Sequence, residues 1–99
     1  MKYRSRSEIA AMIIDSARVG ATKTKLMYQA YLSYSQLVEY LRYLQENDLL
    51  VREEGTQLYR PTEKGLKFLN KSNELNELAL LPSQNYYTVK YSASSRPQF

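Results

Sequence analysis

The chain of 99 residues contains neither cysteine nor histidine. Without cysteine it can form no disulfide, no thiolate metal site and no cysteine nucleophile. Without histidine it lacks the commonest general base and the commonest metal ligand. The sequence also has no glycine-rich phosphate loop and no acidic cluster with metal-ligand spacing. These absences argue against an enzyme, and we expect neither a cofactor nor a metal.

Long apolar runs are absent too, since none approaches the roughly 20 residues that a bilayer-spanning helix needs. The first residues are basic and then apolar, as in a signal peptide. They lack a cleavage site, and Glu8 and Asp15 flank the short apolar stretch. We therefore expect a cytoplasmic protein with no membrane partner. The sequence gives no indication of a small-molecule ligand.

The excess positive charge is concentrated in the first third of the chain. The net charge is +4. Residues 1–30 hold six Lys and Arg against Glu8 and Asp15, whereas residues 31–99 hold eight charges of each sign. A polyanion such as nucleic acid is the partner that such a distribution favours. A solvated surface that merely keeps the protein soluble is the alternative.

Three N-cap signals divide the first half of the chain into helices. A serine followed three residues later by Glu or Gln occurs twice, which is the spacing of a capping box, and a threonine precedes a short helical pattern between them. These caps are Ser5, Thr22 and Ser33. The first helix should end near Gly20, and the third should cover about residues 33–47, ending at Asn47 and Asp48.

Helical periodicity assigns a buried side to two of these helices. In the first helix the buried side comprises Ile9, Met12, Ile13 and Ala17, with Ile14 toward its edge. In the third helix the predicted buried side comprises Tyr34, Leu37, Tyr40, Leu41 and Leu44. The outward side of the third helix comprises Ser35, Gln36, Val38, Glu39, Arg42, Tyr43 and Glu46.

A hairpin and a last helix follow. The segments 49–51 and 58–59 have strand character and flank Glu54-Gly55, and a glycine in so short a connection indicates a hairpin. Pro61 should end the strand pairing, and Thr62 should cap a helix over about residues 62–81, before Pro82. The predicted fold is α+β, mainly α, with one domain over residues 1–81. The tail, residues 82–99, is predicted to be partly disordered or to hold a short strand at Tyr87, Val89 and Tyr91.

Two stretches of the chain carry a family resemblance. They are "GATKTKLMYQAYLSYSQLVEYLRYLQENDLL" and "YRPTEKGLKFL". With both at this spacing, residues 5–81 resemble an archaeal family of small, basic winged helix-turn-helix proteins. The resemblance implies a winged-helix fold and double-stranded DNA binding. In some members it also implies dimerisation through an extended C-terminal helix.

The third helix would then be the recognition helix. In helix-turn-helix proteins the second helix of the pair lies in the major groove. Gln can pair with adenine, Arg with guanine or phosphate, and Glu can accept from cytosine. The candidate contacts are Ser35, Gln36, Glu39, Arg42 and Tyr43. The alternative is an ordinary solvated helix face.

Phosphate contacts are expected from basic residues outside this helix. The basic candidates are Lys23 and Lys25, the N-terminal Lys2, Arg4 and Arg6, and the hairpin residues Arg52 and Arg60. Gln57, also in the hairpin, could hydrogen-bond phosphate or a minor-groove edge. Glu53 and Glu54 would repel phosphate at the hairpin tip, so we expect the wing only to graze the duplex. An ion pair between Arg60 and Glu53 is the alternative to an Arg60–phosphate contact.

The last helix carries two apolar stripes, although covering one small domain needs only one. One stripe comprises Leu66, Leu69, Asn73, Asn76 and Leu80, and the other comprises Phe68, Leu75, Leu78 and Ala79. We expect the first stripe to form a homodimer and Phe68 to cover the domain core. The alternative is that the tail folds back over the free stripe.

The preferred function is a nucleoid-associated transcriptional regulator. A protein-interaction module in a larger assembly is the main alternative, because ten tyrosines in 99 residues would suit an interface. A non-specific chromatin protein is another. A DNA-binding protein should gather Lys23, Lys25, Arg42 and the N-terminal cations on one surface, whereas an interaction module could scatter them.

Overall fold

A computed structural model describes residues 4–80, which form four helices and one hairpin. The elements are α1 (Arg6–Ser16), α2 (Lys23–Gln29), α3 (Tyr34–Glu46), β1 (Leu50–Arg52), β2 (Tyr59–Pro61) and α4 (Glu63–Leu80). This order confirms the predicted mainly α, winged helix-turn-helix architecture. The predictions for Lys2 and for residues 82–99 lie outside the described residues.

Local hydrogen bonds start the first three helices at the predicted residues. In α1 the Ser5 hydroxyl accepts from the Glu8 N–H at 3.1 Å, and the Glu8 carboxylate accepts from the Ser5 N–H at 2.9 Å. Ser33 and Gln36 form the same reciprocal pair at the start of α3. The third cap, Thr22, accepts from the backbone N–H three residues on, at 3.2 Å. Each cap satisfies helix N–H groups that have no partner within the helix.

One core joins all four helices and the hairpin. Its buried members are Ala10, Ile13, Ile14, Ala17, Ala21, Leu26, Ala30, Leu37, Leu41, Leu44, Leu49, Leu50, Tyr59 and Leu69. Ile14, predicted at an edge, is fully buried because α1 packs against both α2 and α4. The prediction for Tyr34 was wrong, since its side chain is 58% exposed. Its ring lies instead beside the Lys23 ammonium, 5.9 Å from centroid to Nζ.

The wing is a two-stranded antiparallel sheet in which Val51 is opposite Arg60. Both strands begin one residue later than predicted, and Pro61 is the last residue of β2. A feature that the sequence did not reveal is an isolated bridge between Ala21 and Tyr59. These two residues exchange backbone hydrogen bonds of 3.1 and 2.8 Å. The bridge connects the start of the helix-turn-helix to the wing.

The first turn of α4 contacts the end of α3 and the start of β1. The Thr62 hydroxyl donates to the Asp48 carbonyl at 2.5 Å and accepts from the Gly65 N–H at 2.9 Å. The Lys64 ammonium donates to the Asn47 carbonyl at 2.9 Å. A Cβ at position 65 would overlap the carbonyl oxygen of Leu49. Glycine at this position therefore permits a contact between the helix and the backbone that no other residue allows.

We predict that Gly65→Ala destabilises the protein by about 2–3 kcal/mol, because the new methyl group forces α4 away from the backbone at Leu49. Helix propensity alone predicts that Gly65→Ala stabilises the protein, since alanine is about 1 kcal/mol more favourable than glycine in a helix interior. The free energy of unfolding, measured by urea denaturation, tests this. Asn70→Ala, an exposed change in the same helix, is the control and should shift stability little. Equal stability of Gly65→Ala and the parent protein would contradict the close approach.

Candidate nucleic-acid interface

One side of α3 is exposed and polar, and the other is anchored in the core. The buried side carries Leu37, Leu41 and Leu44. The exposed side carries Ser35, Glu39, Arg42, Tyr43 and Glu46. Within residues 4–80, the Arg42 guanidinium has neither a carboxylate within 4 Å nor a hydrogen-bond acceptor. The charge of Arg42 is therefore available to a partner.

Gln36, a predicted contact to adenine, forms hydrogen bonds within the chain. Its side-chain oxygen accepts a hydrogen bond from the Ser33 N–H at 3.0 Å, and its own N–H donates to the Ser33 hydroxyl at 3.2 Å. A bidentate contact with adenine needs the same amide oxygen as an acceptor. The capping box thus competes with base recognition, and Gln36 contributes chiefly to the start of α3.

Lys23 lies on one flank of the exposed α3 side. A groove between α2, α3 and β2 is lined by Lys23, Val38, Arg42, Gln45 and Tyr59 among others. Val38, predicted to face outward, is half-buried there. Lys25 is exposed in the first turn of α2. The structure therefore brings Lys23 and Arg42 to one surface, as expected for a site that binds a polyanion.

Arg4, a predicted phosphate contact, forms hydrogen bonds with backbone carbonyls of its own chain. Its guanidinium donates to the carbonyls of Ala30 and Tyr31, at 2.6 and 3.1 Å. These carbonyls follow α2, where the helix dipole favours a positive charge. Arg4 therefore joins the segment before α1 to the turn between α2 and α3.

Arg6 lies on the other flank of the exposed α3 side. Its guanidinium carbon is 5.1 Å from the ring centroid of Tyr40 and 5.5 Å from that of Tyr43. Both distances are within the range of cation–π attraction. The sequence did not indicate this contact, because α1 and α3 are far apart in the chain. The structure therefore places a cation at each flank, Lys23 and Arg6.

In the wing, the observed arrangement is the predicted alternative for Arg60. Its Nε lies 3.2 Å from a Glu53 carboxylate oxygen. The Thr56 hydroxyl donates to the other carboxylate oxygen at 2.6 Å. The Thr56 hydroxyl, and to a smaller extent Arg60, hold the pKa of Glu53 below its usual value of 4.5. Arg60 is thus paired within the protein, whereas Arg52 and Gln57 are exposed near the tip.

We predict that the Glu53 contacts make the wing sensitive to acid. Because folding lowers the pKa of Glu53, its contribution to stability is present above pH 4.5 and is lost as pH falls below that value. Thermal unfolding of the parent and of Glu53→Gln should therefore differ at pH 7 and converge toward pH 3. Glu54→Gln removes a charge from the same loop without removing these hydrogen bonds, and so controls for charge alone. If the parent and Glu53→Gln differed in thermal stability as much at pH 3 as at pH 7, the ionised Glu53 carboxylate would not be the source of the difference.

Exposed tyrosines near the turn between α2 and α3 were not predicted. Tyr28 and Tyr31, like Tyr34, are mostly exposed to solvent. Tyr31 has a φ of +56°, a left-handed conformation that is unusual for a bulky residue. Its ring centroid lies 5.9 Å from the Arg4 guanidinium carbon. No periodic pattern marks these positions, because the helical period is interrupted at the turn.

In α4 the core is covered by Phe68, as predicted, and also by Leu69 from the other stripe. Leu69, predicted to form the dimer seam, is only 4% exposed and belongs to the core of its own chain. Asn73 and Asn76 line a groove between α1 and α4. By contrast, Leu75 and Leu78, predicted on the opposite side, are 66% and 64% exposed. Leu66 is also exposed, whereas the side chain of Leu80 is not described.

No group of three or more acidic side chains within residues 4–80 could hold a metal ion. No helix in that part of the chain is long and apolar enough to cross a membrane.

The chain belongs to the winged helix-turn-helix family, whose model matches residues 3–80. Among solved structures it is similar to Sso10a-2, a DNA-binding protein from Sulfolobus solfataricus, with a TM-score of 0.69 and 24% identity over 92% of this chain and 94% of that one. The family match confirms the predicted winged helix-turn-helix resemblance, and the structural match agrees with the fold.

Two further solved structures share the fold at lower identity. One is the transcriptional repressor CouR bound to p-coumaroyl-CoA, with a TM-score of 0.61 and 18% identity over 91% of this chain and 70% of that one. The other is ZitR from Lactococcus lactis, with a TM-score of 0.55 and 16% identity over 95% of this chain and 75% of that one. No curated protein sequence matches this chain.

Proposed function

We propose that this protein binds double-stranded DNA, with α3 in the major groove, and acts as a transcriptional regulator. The observation that carries the proposal is the exposed side of α3, where Arg42, which has no ionic partner among residues 4–80, lies between flanking cations, Lys23 and Arg6. The family match supports this, since the second helix of a helix-turn-helix pair is the one that enters the groove. Sso10a-2 binds DNA, and CouR is a repressor.

The side chains divide into two groups by the contacts they would make. Ser35, Glu39 and Arg42 would reach base edges, because they occupy the exposed side of α3. Lys23, Lys25 and Arg6 would meet phosphates, and Arg52 and Gln57 would graze the duplex from the wing. With roughly five phosphates neutralised per protomer, the logarithm of affinity would fall with the logarithm of salt concentration at a slope of about −4 to −5.

Such a protein acts by binding and not by catalysis. A regulator needs no reacting group, which is consistent with a chain that lacks both histidine and cysteine. Its place of action would be the nucleoid, in the cytoplasm.

We predict that Arg42→Ala weakens duplex DNA binding roughly tenfold or more at low salt, because it removes the positively charged side chain from the exposed side of α3. Fluorescence anisotropy with random and selected duplexes measures this. Arg18→Ala is the matched control, because Arg18 is paired with Asp15 on α1. It should bind nearly as the parent does. Parent-like binding by Arg42→Ala would exclude α3 as the contact surface.

Salt dependence separates phosphate contacts from base contacts in the same assay. Lys23→Ala combined with Lys25→Ala should weaken binding about equally on all duplexes and flatten the salt slope by about two units. Lys67→Ala, an exposed lysine on α4, controls for charge. If the parent protein bound no duplex even at low salt, the proposed function would be wrong.

We further propose that the protein is a homodimer formed through the distal part of α4. The supporting observation is that, among the described residues, the core contact of α4 lies in its first half, at Gly65, Phe68 and Leu69, while Leu75 and Leu78 are exposed beyond it. At 100° per residue Leu75 and Leu78 lie within about 60° of each other on one side of the helix. Two copies would bury these leucines and could place two recognition helices on one duplex.

The corresponding prediction is that Leu75→Asp with Leu78→Asp converts a dimer into a monomer at micromolar concentration, because the charges cannot be buried without partners. Sedimentation equilibrium measures the mass. Leu66→Asp, an exposed leucine on another side of α4, should leave the dimer intact. A monomeric parent would exclude the dimer. If Leu66→Asp abolished the dimer and the double variant did not, the interface would lie on the side of α4 that was first predicted from the sequence.

A further inference from the structure

Arg6 is attracted to aromatic rings but is not neutralised by any residue of the part of the chain that the structure describes. Its guanidinium carbon lies over the rings of Tyr40 and Tyr43, at 5.1 and 5.5 Å. Within residues 4–80 no carboxylate lies within 4 Å of it, and no atom accepts a hydrogen bond from it. The rings restrict the position of the guanidinium but leave its charge uncompensated.

This combination distinguishes Arg6 from the other described arginines. Three of them donate to oxygen acceptors within the chain: Arg4, Arg18 and Arg60. Two others, Arg42 and Arg52, have neither an acceptor nor a ring at cation–π distance within the described residues. Arg6 is therefore both held in place and available to an external anion.

The two rings link Arg6 to the recognition helix. Tyr40 is half-buried and packs against the core, so its ring is anchored. Tyr43 is on the exposed side of α3, one turn further along. Arg6 is the first residue of α1, yet its charge lies at the edge of α3. A duplex that received α3 would bring phosphate oxygens to this edge.

We propose that Tyr40 and Tyr43 form a clamp that holds Arg6 as a phosphate anchor at the edge of α3. The proposal rests on the proposed DNA binding and changes the role of Tyr43 from a base contact to a positioning residue. An arginine presents a planar fork of donors that suits phosphate, and its faces can stack on aromatic rings. Restricting the side chain before binding lowers the conformational entropy lost on binding.

The clamp itself can be measured without DNA. In the NMR spectrum of the parent, ring currents should shift the Arg6 side-chain signals from their unstructured positions. Tyr43→Leu should lose the part of this shift that the Tyr43 ring causes, whereas Tyr43→Phe should retain it. Thermal unfolding of each variant verifies that the fold persists. Arg6 signals that are the same in Tyr43→Leu and Tyr43→Phe would overturn the clamp.

A double-mutant cycle tests the anchor on duplex DNA. Arg6→Ala should weaken binding roughly fivefold at low salt and reduce the salt slope by about 0.9. Tyr43→Leu should weaken binding roughly threefold in the parent and not at all in the Arg6→Ala background, because its effect passes through Arg6. Tyr43→Phe should bind as the parent does. Equal losses from Tyr43→Leu in both backgrounds would overturn the proposal and make Tyr43 a direct contact.

The same set of variants separates the anchor from the proposed function. If the parent binds no duplex, DNA binding fails, and inorganic phosphate then replaces DNA as the probe. Phosphate should shift the Arg6 Nε–H signal saturably in the parent and in Tyr43→Phe, and much more weakly in Tyr43→Leu. The absence of any phosphate response at Arg6 in the parent would overturn the anchor as well.

Discussion

The contact between Gly65 and the Leu49 carbonyl is the constraint on which the arrangement of the domain depends. Because position 65 has no side chain, the first turn of α4 approaches the backbone where α3 passes into β1. Thr62 and Lys64 then donate to the two preceding carbonyls, those of Asp48 and Asn47. The end of α3, the start of the wing and the start of α4 therefore form one unit. The direction in which α4 leaves the domain, and hence any dimer geometry, follows from this junction.

On both flanks of α3, a cationic side chain lies at cation–π distance from tyrosine rings. Lys23 lies over Tyr34 on one flank of α3, and Arg6 lies over Tyr40 and Tyr43 on the other. A tyrosine ring attracts a cation without neutralising it, unlike a carboxylate. In the proposed function this difference matters, because a DNA-binding surface needs cations that are both positioned and unpaired. The three tyrosines of α3 are therefore compatible with DNA binding and do not by themselves indicate a protein-interaction module.

Whether a basic residue is available depends on what folding brings beside it. Arg4 and Arg6 are two positions apart, yet Arg4 is bound to backbone carbonyls and Arg6 is not. Arg60 is paired with Glu53, whereas Arg42 has no such partner among the described residues. Charge counting along the chain treats these four residues alike. Only their neighbours separate the structural cations from those that can meet a phosphate.

The sequence by itself determined the helix starts, the hairpin and the exposed side of most of α3. Capping boxes and helical periods involve residues three or four positions apart, so their physics is contained in the local sequence. The tertiary structure alone decided the burial of Leu69, the exposure of Tyr34 and the partners of Arg4. The carbonyls bound by Arg4 lie 26 and 27 residues away, and which groups meet over such separations depends on how the helices pack. Packing also determines which of two apolar stripes a helix buries, because both satisfy the same local period.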